Sequence, residues 1–350
     1  VRATETAPGS ATSTAAPAAA VAAPVVQADA DTPDWTATAA AVAPSVVAIK
    51  VVSGQGEGEG SGVIIDSAGR IITNNHVVTG AGTGAQISVT LDDGRTYAAT
   101  IAGTDPSTDL AVLTLTNPPS DLRPISFGDS DALAVGQPVM AVGNPLGLAG
   151  TVTTGIVSAL NRPVSTGSSD TGVRGQAASD PVVTNAIQTS AAINPGNSGG
   201  ALVTADGRLV GINSAIASLG TSAGGQSGNI GIGFAIPSSE AKAIADQLIA
   251  TGSAQHAYLG VSSADALVAD GGAQRAAAVL RAVSAGTPAA QAGLRVGDAV
   301  VAIGGERVDS SLALVAAIRE QSVGSQVTLT IVRDGSRQDI AVALVARPAN

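Results

Sequence analysis

The sequence predicts a mainly β protein in which an antiparallel barrel or sandwich is followed by a small α+β domain. Apolar runs of strand length alternate with Asp-Gly and similar turn sequences over most of the chain. Its 43 glycines favour turns and short strands over long helices. A length of 350 residues is enough for one sizeable core and a smaller appended domain.

The first patterned region, residues 34–236, consists of short strands joined by turns. It begins with a β-branched run at 46–52. Each following pair of apolar segments flanks a turn-forming sequence, and Asp-Gly between such segments is the strongest local signal for a hairpin. Many hairpins at regular spacing predict a barrel or sandwich rather than an α/β sheet. The pairs are 63–65 with 71–73, 87–91 with 96–102, and 202–203 with 209–212.

A helix is predicted over 238–251, where the apolar residues share one face. Ser238 is its expected N-cap and Gly252 its expected end, and a linker follows at 252–255. The remaining pattern, 257–346, combines strands and helices and predicts a small α+β domain. Its strands are expected at 296–303 and 327–332, and its helices after Thr287-Pro288 and after the capping residue Ser310.

Composition narrows the classes of function. The net charge of -10 and the absence of a basic cluster argue against nucleic-acid binding. Without cysteine the chain has no disulfide, thiolate nucleophile or Cys-ligated metal, and no other residues show metal-ligand spacing, so we expect no cofactor. No apolar run reaches the roughly 18 residues of a membrane-spanning helix, so we expect none.

Residues 1–33 are predicted to be a disordered tether. They are rich in Ala, Thr, Pro and Ser and have too few large apolar side chains to offset the entropy of ordering. The tether either has no role or spaces the protein from a membrane or wall. The sequence begins at Val1 rather than Met, which leaves open a leader or a membrane anchor ahead of it.

Two histidines are available as a catalytic base, and His76 is the better candidate. It follows a strand in GRIITNNHVV, where a barrel can expose an imidazole, whereas His256 is expected to be a linker residue. Asp109 precedes an apolar strand in DPSTDLAVLTL, and a carboxylate there needs a partner such as an imidazole N–H. The alternative for such an acid is to cap its own backbone, the role expected for Asp105.

Ser198 in INPGNSGGAL is the candidate nucleophile. A serine needs a base to remove its proton and donors to stabilise the oxyanion, and the flanking glycines permit a tight turn whose N–H groups converge. Taken alone, GNSGG also fits a glycine-rich hairpin turn. The order His76, Asp109, Ser198 in a mainly β chain is that of chymotrypsin-type serine proteases.

Over residues 45–346 the chain resembles the HtrA family of chymotrypsin-fold serine proteases. This resemblance implies two antiparallel six-stranded β-barrels in residues 34–252, followed by a PDZ domain in residues 257–346. Segments similar to the family signatures occur in order: GSGVII at 60–65, TNNHVV at 73–78, STDLAVL at 107–113, AVGNPLGL at 141–148, TTGIVSAL at 153–160, INPGNSGGAL at 193–202, GIGFAIP at 231–237 and GTPAAQAGLRVGDAVVAIGG at 286–305.

The same resemblance implies roles for the candidate residues. His76 would be the general base, Asp109 would orient it, and Ser198 would form the acyl-enzyme. The backbone N–H groups of Gly196 and Ser198 would form the oxyanion hole.

The resemblance also bears on specificity. Ala192 stands six residues before the serine, where enzymes that cut after Lys or Arg have an acid, so a basic P1 side chain has no partner there. Ile193, Ile216 and Ile232 match positions that line an apolar S1 pocket suited to Val or Ala. Core packing is the alternative for each of the three.

In the second domain, Tyr258-Leu259-Gly260-Val261 matches the PDZ loop that binds C-terminal carboxylates, and the peptide would add as a strand. Residues 270–275 depart from the family pattern, in a loop that we expect to be longer and more polar. Trp35, the single tryptophan, either takes part in trimer contacts or caps a barrel.

By the resemblance the protein is an extracytoplasmic, ATP-independent endopeptidase of the cell envelope. It would degrade unfolded or damaged proteins under stress, bind C-terminal peptides at the PDZ groove and form a homotrimer or larger oligomer. Two other functions stay open. One is a chaperone or scaffold with an idle protease fold, although all three triad residues are kept. The other is a regulatory protease that makes a single cut.

Overall fold

The computed structural model describes residues 21–27, 32–54, 56–79, 84–144, 150–166, 182–194, 196–214 and 231–348. Two closed β-barrels are followed by a sheet with helices, so the predicted mainly β class with two six-stranded barrels is confirmed. Within the described ranges, no helix combines the length and apolar character needed to cross a bilayer.

The first barrel has six antiparallel strands: β1 (Val46–Ser53), β2 (Gly56–Ile64), β3 (Arg70–Asn74), β4 (Gln86–Thr90), β5 (Thr96–Asp105) and β6 (Leu110–Leu115). They pair in the closed order β1–β2–β3–β6–β5–β4. Side chains alternate between the two faces of a strand, and on β6 Leu113 enters the barrel core while Val112 faces the core between the barrels. Because both faces are buried, β6 is the continuous apolar run that the sequence shows.

The second barrel repeats this architecture with β7 (Pro138–Gly143), β8 (Thr151–Thr166), β9 (Val182–Thr189), β10 (Ala201–Thr204), β11 (Leu209–Ser214) and β12 (Gly233–Pro237). Its closed order is β10–β11–β12–β9–β8–β7. On β11, Val210 enters the barrel core and its neighbour Leu209 faces the core between the barrels. The three predicted hairpins are present in the two barrels, as β2–β3, β4–β5 and β10–β11.

An aliphatic core between the barrels is closed by α1 (Trp35–Val42) and α3 (Ser238–Thr251). Trp35 is partly buried and packs against this core, a contact that fits the barrel-capping alternative. The predicted helix α3 is confirmed, together with the left-handed Gly252 that ends it. The predicted N-cap is wrong: Pro237 holds that position, and the Ser238 hydroxyl donates instead to the carbonyl of Gly128 at 3.1 Å.

The C-terminal domain is a six-stranded sheet and a two-stranded sheet that pack with two helices around their own apolar core. The Ser310 hydroxyl caps the longer helix by accepting from Ala313 N at 3.1 Å, as predicted. The longer helix packs against β8 and β9 of the second barrel. The elements are β13 (Ala257–Tyr258), β14 (Val261–Asp270), β15 (Ala273–Val283), α4 (Pro288–Gln291), β16 (Ala299–Ile303), β17 (Glu306–Arg307), α5 (Ser311–Arg319), β18 (Gln326–Arg333), β19 (Ser336–Ala343) and β20 (Val345–Ala346).

The prediction of a longer loop at residues 270–275 is wrong, because these residues continue a β-hairpin. Strands β14 and β15 stay paired up to a two-residue turn, Gly271-Gly272. Both glycines have positive φ, at +59° and +85°, which is the turn that matches the twist of a hairpin. Asp270 pairs with Arg275 and Arg337, so the extra residues form a braced β-arm rather than a loop.

Candidate active site

The imidazole of His76 lies on α2 (Asn75–Thr79), a short helix that directly follows β3. Its Nδ1 is 2.8 Å from Oδ2 and 3.0 Å from Oδ1 of Asp109. The backbone N–H of His76 donates to the same Oδ1 at 3.0 Å. A carboxylate that accepts from Nδ1 favours the tautomer with its lone pair on Nε2, the atom that a general base uses.

Asp109 ends the turn between β5 and β6 and is 5% exposed. Its φ of +59° lies in the left-handed region, which costs about 1–3 kcal/mol for a residue with a side chain. The neighbouring helix compensates, because the Asp109 carbonyl accepts from Asn75 N and Asn74 Nδ2, each at 3.0 Å. Carboxylate and carbonyl thus both bind the segment that carries His76, and the acid and the imidazole are held as one unit.

Ser198 lies in the turn that connects β9 to β10, and it is 4% exposed. Gly200 N donates to Asn197 O at 3.0 Å and closes this turn. Gly196 and Gly199, on either side of the serine, have φ of +95° and +81°, which residues with a side chain rarely adopt. The glycines of this motif are therefore required by the backbone of the turn.

Ser61 on β2 holds this turn from the other barrel. Its N–H donates to Ser198 O at 2.8 Å, and its hydroxyl donates to Gly196 O at 2.6 Å. The approach is so close that a Cβ on Gly199 would collide with the carbonyl of Ser61. Ser61 was not among the predicted site residues, although its place between two glycines in GSGVII marks a close backbone approach.

Gly60 shows that the two parts of the site are neighbours. A Cβ built on Gly60 would lie 2.6 Å from Val77 Cγ2 and 3.2 Å from Ser198 O. Since Val77 follows His76 on α2, the helix of the imidazole and the turn of the serine meet over this one glycine. The structure thus brings His76, Asp109 and Ser198 to the same rim between the barrels.

Of the predicted S1 residues, Ile193 and Ile232 are described, and Ile216 lies outside the described residues. Ile193 is buried in the second barrel's core and packs over Gly233, a contact that fits the core-packing alternative. Ile232 is partly buried beside Phe234 and borders a cleft of about 990 Å³ between the second barrel and the C-terminal domain. The S1 role of the three isoleucines stays a prediction.

The predicted carboxylate loop Tyr258-Leu259-Gly260-Val261 lies beside α5. Gly260 has a φ of +85° and packs directly against the side chain of Thr287, so the loop has a defined shape. A groove of about 300 Å³ runs between the loop and α5. It is lined by these four residues with His256, Ser263, Leu314, Val315, Ile318, Arg319 and Arg347.

Contacts between the barrels and the C-terminal domain were not predicted from the sequence. His256 is not a free linker residue, because its Nε2 is 2.8 Å from Oδ2 of Asp105, which itself caps Ser107 N at 3.1 Å as expected. Glu320 accepts from Asn185 Nδ2 at 3.2 Å. These pairs join residues more than 100 positions apart, which local patterns cannot relate.

Two family models match the chain. The trypsin-like peptidase domain matches residues 60–212, which contain His76, Asp109 and Ser198. The PDZ domain matches residues 239–344. The second match begins inside α3, although the apolar face of that helix packs in the core between the barrels.

Relatives are similar along both domains. Serine protease PepD of Mycobacterium tuberculosis is 50% identical over 276 residues, which are 77% of this chain and 56% of that protein. Periplasmic serine endoprotease DegP of Escherichia coli is 42% identical over 291 residues, 81% of this chain and 56% of that protein. The chain thus spans little more than half the length of these relatives.

A solved structure extends the comparison to three dimensions. The HtrA-type protease AlgW with tripeptide is 33% identical, with a TM-score of 0.65. The alignment covers 91% of this chain and 99% of that chain, so it runs through the two barrels and the C-terminal sheet. Since fold and sequence agree over this length, the protein belongs to the HtrA family of serine proteases.

Proposed function

We propose that this chain is an extracytoplasmic serine endopeptidase that degrades unfolded or damaged proteins without ATP. One observation carries the proposal: Asp109 holds His76 through Nδ1 at 2.8 Å, while the Ser198 turn is fixed to the same barrel rim. Relatives named as periplasmic serine endoproteases support the place and the activity.

The proposed chemistry follows from this arrangement. Ser198 Oγ attacks the scissile carbonyl carbon while His76 Nε2 takes its proton, and Asp109 stabilises the imidazolium. The N–H groups of Gly196 and Ser198 donate to the oxyanion of the tetrahedral intermediate. His76 then protonates the leaving amine as the C–N bond breaks, and an acyl-enzyme remains on Ser198. Water, deprotonated by His76, hydrolyses that ester and restores the serine.

For specificity we propose a small aliphatic P1 residue. Ala192 offers no charge to a basic side chain, and its carbonyl is already bound by Thr153 Oγ1 at 2.7 Å. We expect peptides with Val or Ala at P1 to be cleaved with a higher kcat/KM than the matched Lys peptide. Preferential cleavage after Lys would contradict this pocket.

The PDZ groove is proposed to bind the C-termini of substrates or activators. Its left-handed Gly260 and the apolar side of α5 support a peptide that adds as a strand and ends at the loop. A homotrimer or larger oligomer also stays a proposal. Trp35 packs on its own barrels and is partly exposed, so it is one candidate for that contact. Sedimentation of the full chain measures the oligomer directly.

The test of the proposed function is digestion of unfolded casein by the wild type and by Ser198→Ala. Removal of the nucleophile should lower kcat by about a million-fold, while casein still binds. A fluorophosphonate, which reacts with an activated serine, should label only the wild type. Each assay is repeated with an added C-terminal peptide, because the PDZ groove could require an occupant for activity.

The outcomes separate the rival functions. Equal digestion by both proteins, or none by either with peptide present, would overturn the endopeptidase and favour a scaffold. A single stable fragment from many different substrates would favour a regulatory protease. Progressive degradation to short peptides by the wild type alone supports the proposal.

A further inference from the structure

The turn that presents Asp109 is organised by a second carboxylate. Asp105 Oδ1 accepts from Ser107 N at 3.1 Å and from Ser107 Oγ at 2.7 Å, and Oδ2 accepts from Thr108 Oγ1. Asp105 is buried, with 5% of its surface exposed. Because the turn has only three residues between the two acids, the position of Ser107 and Thr108 sets the direction in which Asp109 leaves the turn.

His256, directly before the first strand of the C-terminal domain, binds this turn. Its Nε2 lies 2.8 Å from Asp105 Oδ2 and 2.8 Å from Ser107 Oγ, and the side chain is largely buried. Burial alone would raise the pKa of Asp105, but the hydrogen bond and charge of His256, with hydrogen bonds from Thr108 and Ser107, outweigh it and keep that pKa below its ordinary value. The carboxylate is thus ionised and ready to hold the turn.

Arg319, at the end of α5, binds the same turn from a second direction. Its Nη1 donates to the carbonyl of Ser107 at 3.3 Å. That carbonyl also accepts from Val183 N on β9, at 3.3 Å. Ser107 is therefore the point where the first barrel, the second barrel and the C-terminal domain meet.

We propose that His256 and Arg319 are positioning residues for the triad, which hold the Asp105–Asp109 turn so that Asp109 stays in line with His76. The inference rests on the proposed endopeptidase function. Neither side chain contacts the reacting atoms; both act through Ser107 and, for His256, through Asp105. In this arrangement the C-terminal domain supplies part of the catalytic geometry of the barrels.

The kinetic test compares His256→Ala and Arg319→Ala with the wild type on a short peptide substrate. Misplacement of a catalytic group by about 1 Å costs roughly 100-fold, so we expect kcat to fall by about 10-fold to 100-fold with little change in KM. His256→Gln, whose amide can donate from a similar position, should recover most of kcat. His256 and Arg319 also line the PDZ groove, so their substitution could change peptide binding. The kinetic test therefore uses no added C-terminal peptide.

Two comparisons isolate the positioning role. In an Asp109→Ala background, His256→Ala should cause no further loss, because the group that it positions is gone. Glu306→Ala is the matched control, since it removes another contact between the domains, to Asn161 Nδ2 at 2.9 Å, and leaves the turn untouched. We expect that control to keep the wild-type kcat.

A spectroscopic readout does not depend on turnover. The chain has two histidines, so His256→Gln leaves His76 as the only imidazole in the NMR spectrum. The Nδ1 proton that His76 shares with Asp109 should give a downfield signal in the wild type and in His256→Gln, and that signal should be lost in Arg319→Ala combined with His256→Ala.

Several results would overturn the inference: an unchanged kcat in His256→Ala and Arg319→Ala, an equal loss in the Asp109→Ala background, or an equal loss in Glu306→Ala. Unfolding of a variant is detected by Trp35 fluorescence. If the wild type cleaves nothing even with an added C-terminal peptide, the proposed function fails, whereas the downfield signal still decides whether His256 and Arg319 hold the turn.

Discussion

Glu240 in the first turn of α3 allows a sharp test of the contact between the domains. Its Oε2 is buried and has no hydrogen-bond partner among the described residues. It faces a cavity of about 380 Å³ that Glu320 of the C-terminal domain also lines. Burial, with the nearby negative charges of Glu320 and Asp105, raises the pKa of Glu240 to about 8, against a smaller opposing effect of Arg319.

The sign of the effect on stability follows from this pKa. Between its ordinary value of 4.5 and about 8, the folded chain keeps a proton on Glu240 that the unfolded chain has lost. The free energy of unfolding therefore falls as pH rises through this window, by about 1.4 kcal/mol per pH unit, and levels off above pH 8. Across the full window the free energy of unfolding would fall by about 5 kcal/mol. Water that enters the cavity solvates the carboxylate, so we expect a fall of about 2–5 kcal/mol.

Glu240→Gln removes the titration and keeps the shape of the protonated acid. We expect similar stability to the wild type near pH 5, and a gain of about 2–5 kcal/mol over it at pH 9. Urea unfolding followed by Trp35 fluorescence is the assay, because Trp35 packs on the core that contains the apolar face of α3. The exposed Glu59→Gln serves as the control for the loss of one charge.

Glu320 titrates in the same cavity, so its contribution to the pH dependence of stability has to be separated from that of Glu240. Glu320 is exposed along part of its side chain, and partial desolvation at the cavity raises its pKa to about 7, against the opposing hydrogen bond from Asn185. The double variant Glu240→Gln with Glu320→Gln should therefore lose more of the pH dependence than Glu240→Gln alone. Parallel curves of stability against pH for the wild type and Glu240→Gln would refute the reasoning.

Three further predictions concern single side chains. Asp109→Asn should lower kcat by about 10,000-fold with KM nearly unchanged, since an amide favours the wrong His76 tautomer. The assay is peptide hydrolysis, and a loss of kcat below about tenfold would contradict this role of Asp109. Gly199→Ala should abolish labelling of Ser198 by a fluorophosphonate, because the added Cβ would collide with the carbonyl of Ser61. Labelling at the wild-type level would show that the turn does not need this close contact with Ser61. Asp298→Ala should destabilise the C-terminal domain by about 3 kcal/mol, because Asp298 is 2% exposed and accepts two 2.6 Å bonds from Arg333. Calorimetry of this variant should show a lower Tm for one transition, and an unchanged Tm would contradict it.

Features with a local signal could be predicted from the sequence. Turn sequences between apolar runs gave three hairpins, β2–β3, β4–β5 and β10–β11, and a single apolar face with a terminal glycine gave α3. The contexts of His76, Asp109 and Ser198 pointed to one site; the structure joins His76 to Asp109 and places the turn of Ser198 against Gly60, which also contacts the helix of His76. Each of these signals lies within about ten residues, where backbone preference and side-chain periodicity act directly.

Features that depend on distant contacts could not be predicted. Ser107, which His256 binds, lies 149 positions earlier in the chain, and Gly196, which Ser61 binds, lies 135 positions later. Helix α1 has an Ala- and Thr-rich sequence without an apolar stripe, and it is stabilised by packing on the barrels rather than by its own pattern. The expected cap at Ser238 failed for the same reason, because its hydroxyl finds a tertiary partner.

The bonds from Ser61 have a consequence for how the proposed activity depends on temperature. The turn of Ser198, the proposed nucleophile, belongs to the second barrel, but its shape depends on a strand of the first. A small slip between the barrels removes these bonds while each barrel keeps its own strands. Peptide hydrolysis should therefore stop at a lower temperature than the loss of β-structure. A heat-damaged molecule would lose the proposed peptidase activity before either barrel unfolds.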